Sequence, residues 1–203
     1  MVILKGKATW AKVFQPDTKF NPEGVYSVNV SIPEEEAAQV CEQFDTILSK
    51  YTAKLVKEKP QLKASLSTRN PYETEYDEEG NPTGDILFKV KMKAGGTTRD
   101  GKSFTQKPMV VDAKRTPLDK STLIGNGSIV KVALDAAPYY MPSNKQAGVS
   151  LRLKGVQVID LVEYQGRSDI FDEEDGFVTQ AVEKDNSSEY FEDNQDGASE
   201  GDF

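Results

Sequence analysis

Asp85-Ile86-Leu87-Phe88-Lys89-Val90-Lys91-Met92-Lys93 reads with a period of two residues. Ile86, Phe88, Val90 and Met92 fall on one side of an extended chain, and Leu87, Lys89, Lys91 and Lys93 on the other. Successive side chains of a strand point to opposite faces, so this segment predicts a strand with an apolar face for a core and a basic face outside. At about 3.4 Å per residue the lysines form a stripe roughly 14 Å long.

The same alternation extends outward in both directions. It predicts strands over Val2–Phe14, Val25–Ile32, Pro108–Ala113, Ser128–Leu134 and Val149–Tyr164, with Asn126-Gly127 as a turn before one of them. Trp10 and Phe88 fall on apolar faces and are expected in the core. One segment changes period. Pro33-Glu34-Glu35-Glu36 suits a helix start, where Pro is tolerated and carboxylates face the positive end of the dipole. Ala37, Val40, Cys41, Phe44, Ile47, Leu48, Tyr51 and Leu55 then follow a 3.6-residue spacing, and the helix is expected to end before Pro60. Gln61–Gly84, with Pro, Gly and the acidic Asp77-Glu78-Glu79, reads as a long mobile loop. Strands outnumber helices and follow one another without βαβ alternation. The expected fold is therefore mainly β, an OB-fold-like barrel with one inserted helix, rather than a parallel α/β sheet.

Charge divides the chain in two. The 203 residues carry 33 acidic and 25 basic side chains, a net of −8. Asp169–Phe203 alone holds 13 acidic residues and a single lysine, a net of −12, which leaves Met1–Ser168 at +4. Residues 1–168 are thus expected to form the barrel, and 169–203 an acidic arm too polar to fold on its own. A basic body with an acidic arm is a pattern of nucleic-acid binding. Histidine is absent, so there is no imidazole for nucleophile activation or metal ligation. The one cysteine, Cys41, excludes an internal disulfide and a structural zinc site, and in the helix stripe it reads as a packed thiol. These exclusions point away from an enzyme, a metal or any other cofactor. No 18-residue apolar run is present, and the N-terminus lacks a signal-peptide pattern, so the expectation is an intracellular protein away from membranes.

Gly96-Thr97-Thr98-Arg99-Asp100-Gly101-Lys102-Ser103 satisfies the phosphate-binding string GxxxxGK[ST]. That loop needs a following helix whose free amides hold the phosphates, whereas Phe104-Thr105-Gln106-Lys107-Pro108 reads as a strand broken by proline. Asp100-Gly101 is better read as a hairpin turn, with Arg99, Lys102 and Lys107 as phosphate contacts on it. A nucleotide-binding enzyme using Gly96–Ser103 stays as one alternative, and an acidic DNA mimic inhibiting a nucleic-acid enzyme as another.

Basic residues recur on the outer phase of several strands: Lys5 and Lys7 on the first, Lys89, Lys91 and Lys93 on the quoted one, Lys131, Arg152 and Lys154 on later ones. A solvated barrel surface would look similar; the strict alternation and the opposing acidic arm favour a strand-binding groove. Exposed rings would select single strands, because unpaired bases stack on aromatic faces. Tyr139 and Tyr140, after Pro138, are expected in a loop where at least one is exposed; Tyr72, Tyr76 and Phe104 are further candidates. In the acidic arm, Asp196, Glu200, Asp202 and above all Phe203 form a candidate partner-docking peptide, since a terminal aromatic adds nothing to solubility.

These residues resemble the single-stranded DNA-binding proteins of T-seven-like podophages. The resemblance is carried in order by Asn21-Pro22-Glu23-Gly24-Val25-Tyr26, Ser31-Ile32-Pro33, Phe88-Lys89-Val90-Lys91, Val110-Val111-Asp112, Ile124-Gly125-Asn126-Gly127-Ser128, Pro138-Tyr139 and Gly201-Asp202-Phe203. It implies an OB-fold body, usually a homodimer, that coats single-stranded DNA in phage replication, recombination and repair and promotes strand annealing. It also implies a tail that docks phage DNA polymerase and helicase–primase, and residence in the cytoplasm of the infected bacterium. By position it points to Lys89, Lys91, Lys131 and Tyr139 as DNA contacts. Glu23 departs from it, standing where the family can carry a basic residue.

Overall fold

The structure, a computed structural model, describes residues 1–98 and 100–163; Arg99 and the acidic arm Asp169–Phe203 lie outside the described residues. The chain runs β1 (Val2–Asp17), β2 (Val25–Pro33), α1 (Glu34–Glu58), a 3-10 turn at Pro60–Leu62, β3 (Ser67–Arg69), β4 (Tyr72–Tyr76), β5 (Pro82–Lys93), β6 (Gly95–Thr97), β7 (Ser103–Thr105), β8 (Met109–Val111), β9 (Ile129–Met141) and β10 (Gln146–Asp160). Five long strands close a barrel in the order β1–β2–β5–β10–β9 and back to β1. Four seams are antiparallel, and the closing seam, β5 against β10, is parallel with Lys91 opposite Arg152. This is the mainly β, OB-like barrel expected. β4 extends it from β5, and β3 and β8 from β10.

Closure puts a demand on β1, which pairs with β9 through Val2–Lys7 and with β2 from Lys7 onward. At the changeover a Cβ on Gly6 would stand 2.3 Å from the Ser31 carbonyl oxygen, so only glycine lets the strands meet there. The barrel interior is filled by Val28, Val30, Phe88, Val90, Val130, Val132 and Leu134, none of which reaches solvent. α1 packs Ala37, Phe44, Leu48 and Leu55 against this core, the apolar stripe read from the sequence, and the Phe44 ring meets Phe88 edge-on at 6.1 Å. Burying aromatic rings in such a pair adds about 0.5–1.5 kcal/mol beyond the area they remove from water.

Three expectations need correction. Gln61–Gly84 is not a long loop: it contains β3, β4 and the start of β5. β3 is three polar residues with no alternation to mark it; β4 does alternate, Tyr72-Glu73-Thr74-Glu75-Tyr76, but over only five residues, and pairing of β3 with β10 and of β4 with β5 forms them. β9 continues to Met141, so Tyr139 and Tyr140 lie in a strand, not a loop.

Trp10 is 70% exposed rather than buried. β1 carries a bulge there: Thr9 faces Asn29 and Lys12 faces Ser27, so Trp10 and Ala11 together oppose Val28. Trp10 takes the left-handed φ of 53°, unusual for a bulky residue, and donates its backbone N–H to Asn126 Oδ1 at 2.9 Å. One extra residue inverts the phase of everything after it. Ala11 and Val13 replace Trp10 and Lys12 on the core face, and Lys12 moves outside.

Candidate nucleic-acid interface

The bulge, the parallel seam and the registers together build one basic face. Lys89, Lys91 and Lys93 alternate outward along β5 and are exposed, as the quoted stretch predicts. Across the strands the register places Lys12 (β1), Ser27 (β2), Lys91 (β5) and Arg152 (β10) in one transverse row. Adjacent strands lie about 4.8 Å apart, so this row spans roughly 14 Å. The stripe along β5 crosses it at Lys91. Thr9, Asn29 and Lys89 form a second row beside the first. In OB-folds the faces of the second and third barrel strands carry oligonucleotides, and here those strands are β2 and β5.

Beside the crossing point lies a groove. Leu87, Lys89 and Lys91 from β5 and Val149–Leu151 from β10 line it, Tyr139 from β9 borders it, and Thr68–Glu73 from the β3–β4 segment forms the opposite rim. That rim is anchored from below. Tyr72 packs its ring on Phe88 at 6.0 Å and donates its hydroxyl to the Asp45 carboxylate on α1 at 2.9 Å; Ser31 donates to Glu75 at 2.8 Å. Burial, then the Asp45 carboxylate, pushes the Tyr72 phenol up to about 12, so it remains a protonated donor.

Several of the cations already hold carboxylates. Lys89 is ion-paired with Glu73, both side chains 48% exposed; Lys12 reaches Asp17 at 2.5 Å, Lys154 reaches Asp135 at 3.1 Å and Lys7 reaches Asp85 at 3.9 Å. The hydrogen bond from Lys12, then one from the Lys19 amide, holds the Asp17 carboxyl below its usual range. Lys91, Lys93 and Arg152 make no ion pair among the described residues.

A family described as the single-stranded DNA-binding protein of bacteriophage T7 matches residues 5–161. The chain belongs to that family. It is 28% identical over 176 residues to the single-stranded DNA-binding protein of Escherichia phage T7, spanning 81% of this chain and 75% of that one. Against that of Enterobacteria phage T3 it is 29% identical over 155 residues, spanning 72% and 66%. The crystal structure of gp2.5, a single-stranded DNA-binding protein encoded by bacteriophage T7, superimposes with a TM-score of 0.66 at 25% identity, over 88% of this chain and 99% of that one. The fold is also shared with the single-stranded DNA-binding protein of bacteriophage Enc34, solved in complex with single-stranded DNA, with a TM-score of 0.50, 13% identity and coverage of 81% and 89%. These relatives are named as DNA-binding proteins, not as enzymes.

The family's barrel gathers some of the residues singled out in the sequence and separates others. Lys89, Lys91 and Tyr139 line the groove, Arg152 joins it through the transverse row, and Lys93 continues the stripe. Lys5 and Lys131 face each other across the β1–β9 seam, on the wall away from β5. Lys154 and Lys7 lie outward but outside the groove lining. Tyr140 points the other way from Tyr139: it packs against the core, with Lys59 Nζ 5.4 Å from its ring centroid. Gly96–Ser103 is a hairpin of β6 and β7 closed at Gly101 with φ 76°, not the start of a helix. Lys102 and Lys107 are exposed around it, and Phe104 rests on Gly96 beside Glu23 in a second cleft. Tyr76 is 61% exposed at the end of β4. Arg99, Asp196, Glu200, Asp202 and Phe203 lie outside the described residues.

Lys12, Arg69 and Asn29 were missed. Lys12 was hidden by the bulge: in sequence it shares the phase of Leu4 and Ala8, and nothing in the spacing marks the extra residue. Arg69 sits in a three-residue strand that exists through its pairing with β10.

Cys41 is partly covered in α1. Burial, then the Asp45 and Glu34 carboxylates, pushes its thiol up to about 11, which leaves little thiolate near neutrality.

Proposed function

We propose that the chain binds single-stranded DNA without catalysis, along the face where the β5 lysine stripe crosses the Lys12–Ser27–Lys91–Arg152 row. The observation that carries this reading is the crossing itself. Cations from three strands, Lys12 of β1, the β5 lysines and Arg152 of β10, share one face with the ring of Tyr139 at its groove, the combination a single strand requires: charges for the phosphates and a π-face for a base. Membership of the phage family supports it. Ser27, Asn29 and Ser150 offer polar contacts that do not read sequence, in keeping with a coating role.

Titrating salt against affinity for single- and double-stranded oligonucleotides of equal length tests the proposal. Single strands should bind more tightly, with a log–log slope of about −0.7 per phosphate neutralised. Equal affinity for duplex refutes it.

The wider role we assign is to coat single strands during phage replication, recombination and repair, to promote annealing, and to act as a homodimer in the cytoplasm of the infected bacterium. The acidic segment Asp169–Phe203 serves in this reading as a docking peptide for phage DNA polymerase and helicase–primase, with Phe203 as its anchor. Without DNA the segment competes for the basic face. Removing residues 169–203 should then tighten DNA binding, most at low salt; unchanged or weaker affinity rules out the competition. A GxxxxGK[ST] enzyme would need anion-binding amides at a helix start, and the Gly96–Ser103 hairpin lacks that element.

A further inference from the structure

Gly148 lies inside β10, directly opposite Tyr139 of β9. A glycine in a strand interior weakens the strand and needs a reason. Backbone conformation is not the reason, because Gly148 is absent from the glycines with a left-handed φ: Gly24, Gly80, Gly84, Gly101 and Gly127. Nor is it close approach of another strand. At Gly6 and Gly155 the nearest obstacle to a Cβ is a backbone oxygen, of Ser31 at 2.3 Å and of Met109 at 2.9 Å.

At Gly148 the three nearest atoms all belong to one side chain. A Cβ there would stand 2.6 Å from Tyr139 Oη, 2.7 Å from Cζ and 2.9 Å from Cε1. The phenol end of the ring therefore occupies the space above the Gly148 backbone, on the border of the groove it shares with Lys89, Lys91 and Ser150.

We propose that Gly148 is a positioning residue for Tyr139: the missing side chain lets the ring lie down across β10 and presents its outer face to a nucleobase in the groove. The stacking half rests on the proposed single-strand binding; the ring placement does not. Any side chain at 148 lifts the phenol off the sheet. The ring then stands into the groove and offers an edge where a base requires a face. The role is distinct from contact, since Gly148 has no group with which to hold DNA apart from its backbone.

The test has two arms on the full chain. By NMR without DNA, the Gly148 α-protons should be shifted upfield by the ring current of the overlying phenol. That shift should persist in Tyr139→Phe and vanish in Tyr139→Leu. An unshifted Gly148 in the unmodified protein overturns the placement, and this arm needs no variant at 148 to fold.

In the second arm, Gly148→Ala should weaken binding of an oligo-thymidylate about five-fold or more, the lower end of what one stacked base contributes. The same change made in Tyr139→Leu should have no further effect. Equal losses in both backgrounds mean that Gly148 acts on the fold and overturn the proposal, as does an unchanged affinity in Gly148→Ala alone. If Tyr139→Leu by itself leaves affinity intact, the assignment of Tyr139 to DNA fails, while the ring-current result still decides whether Gly148 positions it.

Discussion

Replacing Glu73 by glutamine should tighten single-strand binding and steepen its dependence on salt. Glu73 on the rim of the groove is ion-paired with Lys89 on its floor. While that pair holds, Lys89 adds little to counter-ion release: a phosphate reaching it displaces Glu73, which takes up a cation in turn. Glutamine keeps the size and removes the charge, leaving Lys89 to neutralise a phosphate outright. One additional phosphate contact makes the log–log slope more negative by about 0.7, so the variant should gain about five-fold over the unmodified protein for each tenfold dilution of salt. Stability should hardly move. Both partners are 48% exposed, and such surface pairs are worth about 0.2–1 kcal/mol. Fluorescence titration of an oligo-thymidylate at four or five salt concentrations reads the slope directly. Glu73→Gln combined with Lys89→Gln should return the slope to its original value. An unchanged slope in Glu73→Gln, or weaker binding at low salt, would refute the reasoning and remove Lys89 from the phosphate track.

Trp10→Gly should stabilise the barrel by about 1 kcal/mol in urea unfolding: glycine relieves the φ of 53°, and a ring 70% exposed gives up little buried area. A loss of stability instead would mean that the ring packs on something that matters. Between about pH 10 and 12 the protein should lose stability that Tyr72→Phe does not. The folded phenol titrates at about 12 against an ordinary 10.0, so the native state holds the extra proton and is favoured until pH passes the unfolded value. Parallel denaturation curves at pH 9 and 11.5 for the two proteins check this. Cys41 should react with a disulfide reagent far more slowly in the native protein than in the denatured one at pH 8, because partial burial raises its thiol to about 11. Equal rates would place the thiol on an open surface.

The readable parts of the fold are those governed by neighbours in sequence. α1 was legible from Pro33 to Glu58 because its glutamates, its 3.6-residue apolar stripe and Pro60 act locally. The face of β5 was legible because alternation depends only on adjacent residues, and Lys89, Lys91 and Lys93 appear where it puts them. β3 was not legible because its three residues are polar, and the five-residue Tyr/Glu alternation of β4 is too short to stand out; both become strands by pairing with β10 and β5. In the candidate site, Tyr139 was found as a residue but placed in the wrong kind of segment. Its partner Gly148 carries no chemical signal at all, because its contribution is empty space.

By itself, the amino-acid sequence determined the mainly β class, the helix α1, the division of charge at Ser168 and the basic phase of β5. These follow from residue type and spacing, which need no knowledge of what lies opposite. Only the tertiary structure decided which basic phases meet. The parallel β5–β10 seam joins Lys91 to Arg152, and the bulge at Trp10 and Ala11 turns Lys12 out to Ser27, completing the row. Both depend on hydrogen-bond registers between strands far apart in the chain. A single inserted residue reverses every face beyond it, and no local pattern records the insertion.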